Sequence, residues 1–159
     1  MKKELFMKKI YLLLLSILIT LTLSACGQNT TQIVAFQNEL YSTVTKIEAL
    51  HKELNNLDVT NSNAASNALN QLSKLNDAFK DLADINIADE EFAFIADLAE
   101  EGSEYMSQAY KLFHEAYAND NFDEENADLA YKYLERATTR IRVIVSMLHG
   151  EVPDGVIVH

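Results

Sequence analysis

The chain of 159 residues contains one cysteine, Cys26, and the residues around it are small or apolar. Leu23, Ser24 and Ala25 precede it, and Gly27 follows it. A thiolate is intrinsically very nucleophilic, so Cys26 is the first candidate for covalent chemistry. Because the chain has no second cysteine, Cys26 cannot form an intramolecular disulfide.

The 25 residues before Cys26 have the composition of a secretory leader. Four lysines within the first nine residues make its start basic, and the run 10–23 is apolar except for one serine and two threonines. As a helix, this run would be about 21 Å long, which is too short for a hydrocarbon core of ~30 Å. We therefore expect a cleaved signal peptide over residues 1–25. Either Met1 or Met7 can be the true first residue, since two lysines follow each of them.

The residues Leu23-Ser24-Ala25-Cys26 match the lipobox, and the leader resembles the signal peptide of bacterial lipoproteins. The resemblance covers the first 27 residues. It implies that a diacylglycerol is attached to the sulfur of Cys26 and that cleavage leaves Cys26 as the first residue. Two acyl chains suffice for stable membrane attachment, at about 0.8 kcal/mol for each buried CH₂. The expected location is therefore the extracytoplasmic face of the cell membrane, with a lipid anchor.

The net charge becomes more negative when the leader is removed. The whole chain has 13 basic and 24 acidic residues, for a net charge of −11. The leader takes away four lysines and Glu4, which leaves nine basic and 23 acidic residues and a net charge of −14. Such a charge repels phosphate backbones and anionic headgroups. We expect no nucleic-acid partner. We expect the protein to be attached to the membrane through its lipid anchor.

The rest of the chain predicts long helices. Between Gly27 and Gly150 the sequence contains one glycine, Gly102, and no proline. In four segments the apolar residues recur every three or four positions, which is the spacing of one helix face. Gly102 interrupts the third segment, where it either allows a neighbouring helix to approach closely or kinks the helix.

Three short polar stretches separate the four predicted helices, namely 58–63, 86–89 and 119–123. Four amphipathic helices joined by short turns predict an all-α fold, an antiparallel up-down four-helix bundle. The expected parts of the chain are a signal peptide (1–25), a lipidated cysteine with a polar tether (26–32), the helical bundle (33–150) and a C-terminal tail (151–159).

One pair of residues has the helical spacing of a di-iron ligand pair, Glu48 and His51. A ferritin-like site needs a second Glu-x-x-His pair. The residues three positions before the other two helical histidines are Lys111 and Ser146, so this second pair does not occur. We interpret His51 as a surface residue.

The acidic stretch that begins at residue 119 superficially resembles a calcium loop. Read as an EF-hand, it has Glu124 in place of the required glycine at the sixth position and Ala130 in place of the bidentate glutamate at the twelfth. We interpret it as a turn between helices with acidic N-capping residues. The sequence therefore predicts neither a metal nor a cofactor.

Catalysis has little support in the sequence. The only cysteine belongs to the lipobox, and no serine lies in a glycine-rich elbow. The four histidines are scattered along the chain. We expect no catalytic residues and no enzymatic activity.

The last helix carries the candidate interaction face. Four of the nine cations that follow the leader lie on it. Leu129, Val143 and Met147 form a second, narrower apolar line away from the main stripe, beside Arg136 and Arg140. This line either binds a protein partner or contacts the tail, and the cations either bind an anionic ligand or form salt bridges with acidic neighbours.

The predicted bundle resembles the small helical-bundle lipoproteins that are common in Gram-positive bacteria. The resemblance is one of architecture and patterning over residues 30–150, and it brings no catalytic motif. We expect a non-catalytic protein-interaction module on the outer face of the membrane. Two alternatives stay open: a lipoprotein that binds a small apolar ligand or a cation inside the bundle, and an exclusion or immunity lipoprotein linked to a phage or plasmid.

Overall fold

A computed structural model describes residues 29–58, 63–87, 89–118 and 122–149. Within these ranges the chain forms four α-helices and no strand, with a short 3₁₀ turn at Glu90–Phe92 directly before the third helix. The helices are α1 (Asn29–Asn55), α2 (Ala64–Ala83), α3 (Ala93–Ala116) and α4 (Glu124–Leu148). None of the described helices combines the length and the apolar character that spanning a membrane requires. The leader, Cys26 and the predicted tail lie outside the described residues.

Polar contacts between α1 and α2 show that the two helices are antiparallel. The ammonium group of Lys46 lies 2.8 Å from a carboxylate oxygen of Asp81. Further along α1, the side-chain amide of Gln71 donates a hydrogen bond of 2.8 Å to the carboxylate of Glu53. Residue numbers therefore rise along α1 as they fall along α2.

Helices α2 and α3 are also antiparallel. The hydroxyl of Ser107 donates a hydrogen bond of 3.0 Å to the side-chain oxygen of Asn76, and Gly102 lies against the ring of Phe79. Gly102 also lies against Arg140 of α4, which brings α3 and α4 together at the same level. The predicted antiparallel up-down four-helix bundle is confirmed.

The apolar stripes of the four helices meet in one core. Its largest fully buried side chains come from every helix: Leu40, Ile47, Leu75, Phe79, Leu82, Met106 and Ile144. Burying a side chain of this size contributes about 1.5–3 kcal/mol, so this core supplies the main driving force for folding. Ala65, near the start of α2, is exposed and lies outside this core.

Three polar side chains are buried in the core region, Gln71, Asn76 and Thr138. Each has a partner: Gln71 also donates to the backbone carbonyl of Leu50, and the Thr138 hydroxyl lies 3.0 Å from the backbone carbonyl oxygen of Leu134 in its own helix. Among the described residues no buried side-chain nitrogen or oxygen lacks a hydrogen-bond partner. Because these polar groups are hydrogen-bonded, the fold does not lose the stability of about 1–3 kcal/mol that each unpaired buried group would cost.

The turn before α4 has the predicted acidic N-cap. The backbone N–H of Asn126 donates a hydrogen bond of 3.0 Å to the carboxylate of Asp123, and the Asn126 side-chain amide donates a second one. Glu124 and Glu125 occupy the first turn, where the helix dipole favours negative charge. The interpretation of this stretch as a capped interhelical turn is confirmed for Asp123, while residues 119–121 lie outside the described ranges.

Gly102 is a point of close packing. A β-carbon built at this position would lie 3.3 Å from a ring carbon of Phe79 and 3.5 Å from the β-carbon of Arg140. Position 102 is buried, and α3 continues without a break from Ala93 to Ala116. Of the two roles that the sequence left open for Gly102, the structure shows the close approach of neighbouring elements.

We expect Gly102→Leu to lower the free energy of unfolding by about 2 kcal/mol, because a large side chain overpacks the space beside Phe79. Gly102→Ala is the matched control. Its gain in helix propensity of about 1 kcal/mol offsets the small displacement of the Phe79 ring. Urea denaturation followed by circular dichroism measures both variants. A Gly102→Leu protein as stable as the wild type would contradict the close packing described here.

Candidate functional site

The predicted interaction face lies along one side of α4, next to α3. Leu129, Arg136, Arg140, Val143 and Met147 fall within about 60° of one another around the helix axis. We call these five residues the α4 face. Leu129 is 41% exposed, and Arg136 is also exposed. Val143 and Met147 are half-buried and pack partly against the core, so they offer less apolar surface than the sequence suggested.

Two tyrosines that the sequence analysis did not assign to this face lie on it. Tyr133 is on the same side of α4, and Tyr105 reaches it from α3, with ring centroids 6.1 Å apart. The guanidinium carbon of Arg136 lies 5.4 Å from the Tyr133 centroid and 5.9 Å from the Tyr105 centroid. The guanidinium carbon of Arg140 lies 5.5 Å from the Tyr105 centroid. Two arginines and two tyrosines from two helices thus form one cluster, which we call the Arg–Tyr cluster.

The signal for Tyr133 was present in the sequence. Its position follows Leu129 by four residues and precedes Arg136 by three, so the i+4 and i+3 steps that define the α4 face also include it. Tyr105 carries no such signal, because its place beside α4 depends on how α3 and α4 pack against each other. Cation–π contacts of this kind contribute about 0.5–1 kcal/mol each at exposed sites.

The cations of the last helix differ in their partners. Arg140 forms an ion pair with Glu101 of α3, with the Arg140 Nε 2.5 Å from a Glu101 carboxylate oxygen. None of the other ion pairs between described residues includes Lys132, Arg136 or Arg142. The salt-bridge interpretation therefore holds for Arg140, whereas the charge of Arg136 is directed at tyrosine rings and solvent.

A shallow groove of about 450 Å³ lies beside the Arg–Tyr cluster. Its walls are Ser103, Glu104, Tyr105, Ser107, Gln108 and Tyr133. The walls combine hydroxyl, amide, carboxylate and aromatic groups, so the groove suits a mixed polar and aromatic side chain from another molecule. Interface centres are typically enriched in arginine and aromatic residues.

The described residues contain no group of three or more histidine, cysteine, aspartate or glutamate side chains that could hold a metal ion. The lipobox residues Leu23, Ser24, Ala25 and Cys26 lie outside the described ranges, so their lipidation stays a prediction.

His51, interpreted from the sequence as a surface residue, is half-buried in the structure. Burial lowers the pKa of the His51 imidazole below its ordinary value of 6.5, and the positive charge of Arg142 lowers it further. Arg142 points away from the α4 face, about 140° around the helix. The neutral form of His51 is therefore favoured in the folded protein.

The lowered pKa of His51 predicts that the fold loses stability as the pH falls through 6.5. In that range the unfolded chain binds more protons at His51 than the folded chain, so protonation favours unfolding. We expect His51→Gln to reduce this part of the pH dependence in urea denaturation at pH 7 and pH 5.5. Proton NMR titration should show the His51 pKa rising in Arg142→Gln and unchanged in Arg136→Gln. An unchanged His51 pKa in Arg142→Gln would contradict the assigned cause.

The chain was compared with known proteins at three levels. No protein-family description, no curated protein and no solved structure matches it. The residues and the geometry of the α4 face therefore carry the functional interpretation.

Proposed function

We propose that the protein is a lipid-anchored, non-catalytic interaction module that docks a partner protein at the outer face of the cytoplasmic membrane. The α4 face with its Arg–Tyr cluster is the docking surface. The observation that carries the proposal is the cluster itself, in which Arg136 and Arg140 lie over the rings of Tyr105 and Tyr133.

The composition of the cluster supports protein binding. Tyrosine and arginine are enriched among the residues that dominate binding energy in protein interfaces, and such residues group near the centre of the contact. Tyr105 and Tyr133 come from two packed helices, so their rings are held in place before a partner arrives. Little side-chain freedom is then lost on binding, which favours affinity.

The charge of the face defines the chemistry of the partner. Two of the nine basic residues that follow the leader, Arg136 and Arg140, lie on the α4 face, in a chain with 23 acidic ones. Arg136 is exposed at the centre of the face, and Leu129 adds an exposed apolar group two turns earlier on the same side of the helix. A fitting partner surface presents a carboxylate to Arg136 and apolar or aromatic side chains around it. Electrostatic complementarity of this kind fixes orientation and speeds association.

The anchor is supported by the lipobox at Leu23-Ser24-Ala25-Cys26 and by the short apolar run before it. Labelled palmitate should enter the wild-type protein in its native host and be absent from Cys26→Ser. The wild-type protein should fractionate with membranes, whereas Cys26→Ser should lose the lipid-dependent membrane association. Ser24→Thr is a control that keeps the thiol. Equal labelling of the wild type and Cys26→Ser would contradict the proposed lipid anchor at Cys26.

Site-specific photocrosslinking tests the docking surface in native membranes. A benzophenone amino acid at position 129, on the exposed part of the α4 face, should yield one adduct of defined mass. The same amino acid at position 135, which is exposed on another side of α4, should not yield this adduct.

A second pair of variants ties the adduct to the Arg–Tyr cluster. With the crosslinker at 129, Arg136→Ala should reduce the adduct about tenfold, which corresponds to a loss of about 1.4 kcal/mol in binding. Arg142→Ala removes an arginine from the other side of the helix and should leave the yield unchanged. Equal yields in both variants would mean that the cluster does not bind the partner.

A further inference from the structure

A second concave site lies at the end of the bundle where α1 ends, α2 begins, α3 ends and α4 begins. It is a cleft of about 370 Å³ lined by eleven residues, and none of the eleven is charged. A lining of eleven uncharged residues is unusual in a chain in which 23% of the residues are charged. We call this site the end cleft.

The end cleft exists because the core is filled less completely at this end of α2. The core side of α2 carries Leu72, Leu75 and Phe79 in its middle turns, all of them buried. In its first turns the same side carries Ala64 and Ala68, and both alanines line the cleft. Two alanines leave open the volume that two larger side chains would occupy. Native cores rarely contain such spaces, since unfilled apolar volume costs stability.

The opposite wall of the end cleft is aromatic. The rings of Phe113 and Tyr131 meet edge to face, with centroids 4.9 Å apart and an interplanar angle of 90°. Phe113 is buried, whereas Tyr131 is 61% exposed although it lines an apolar cleft. Beside them, Tyr117 and Phe122 are also exposed and their rings lie 5.0 Å apart. An exposed aromatic wall around an apolar cleft is a feature of binding sites.

We propose that the end cleft binds a small, neutral, largely aromatic molecule of two or three rings. A dry apolar cavity of about 150 Å³ is known to hold one benzene, so a space about two and a half times larger suits a ligand of this size. The described residues that line the cleft carry no charge, which disfavours an ionised ligand, because the ligand's charge would lose hydration without gaining a partner among them.

The end cleft is separate from the α4 face. Its α4 residues, Tyr131 and Leu134, lie on the other side of that helix from Leu129 and Arg136. The inference therefore goes beyond the proposed docking function, and a ligand in the cleft leaves the Arg–Tyr cluster accessible. A ligand-binding lipoprotein was one of the alternatives left open by the sequence, and the end cleft gives that alternative a binding site and a class of ligand.

Binding is tested with two fluorescent probes that share one skeleton. N-phenyl-1-naphthylamine is neutral, and 1-anilinonaphthalene-8-sulfonate is the same skeleton with a sulfonate. The protein is the processed chain from residue 26 onward with Cys26→Ser, and circular dichroism verifies its helical fold. We expect saturable binding of one equivalent of the neutral probe, and binding of the sulfonate at least tenfold weaker. Equal or tighter binding of the sulfonate would overturn the proposed ligand class.

Two Ala→Leu variants locate the binding site. Ala68→Leu fills the cleft and should weaken binding of N-phenyl-1-naphthylamine at least tenfold without lowering the melting temperature. Ala93→Leu makes the same substitution at an exposed position of α3 and should bind the probe like the wild type. Unchanged binding by a folded Ala68→Leu protein, or non-saturable binding by the wild type, would overturn the proposal.

Should Ala68→Leu fail to fold, NMR of the unsubstituted chain decides the question. The neutral probe should shift the resonances of Leu54, Phe113 and Leu134 in the cleft and leave Val143 and Met147 in place. Shifts confined to residues outside the cleft would overturn the proposal. The photocrosslinking from position 129 is read separately, so failure of either proposal leaves the other testable.

Discussion

The packing of the Phe79 ring of α2 against Gly102 of α3 is the contact on which the bundle depends. The ring is fully buried, and it fits because Gly102 presents no side chain at the point of closest approach. Gly102 lies at the same time against the β-carbon of Arg140, so the position that accommodates the ring also draws α4 towards α3. The Arg–Tyr cluster is a consequence, because Tyr105 and Arg140 meet only when these two helices are close.

The buried polar side chains constrain how the helices can slide past one another. Gln71 is hydrogen-bonded to α1, and Asn76 is hydrogen-bonded to Ser107 of α3. A shift of one turn would keep apolar side chains in contact with apolar side chains but would leave these two amides unpaired in the core. Unpaired buried amides are costly, so we infer that Gln71 and Asn76 help to select the observed register.

The Arg–Tyr cluster and the end cleft arise from opposite departures from uniform packing. At the α4 face, close approach of α3 and α4 places arginine over tyrosine at the surface. At the end cleft, the small side chains of Ala64 and Ala68 on the first turns of α2 leave space that larger side chains would fill. The first arrangement suits a protein surface with a carboxylate, and the second suits a neutral aromatic molecule. The two proposed partners therefore differ in chemistry, and their proposed sites do not overlap.

The sequence by itself determined the local features of this protein. The apolar spacing predicted four helices and most of the core. Acidic N-capping was predicted for the stretch that begins at residue 119, where Asp123 caps α4, because capping depends on neighbouring residues. The apolar leader and Cys26 likewise need no tertiary information to be read as a lipoprotein signal. Such features follow from neighbours along the chain, over which helical periodicity is fixed.

Only the tertiary structure decided which side chains from different helices meet. The α4 face could be predicted as a line of residues, but the addition of Tyr105 depends on the level at which α3 packs against α4. The burial of Asn76, the half-buried state of His51 and the space beside Ala68 were not predicted either. Each depends on the rotation and offset of one helix against another, and these are set by the packing of all the core side chains together.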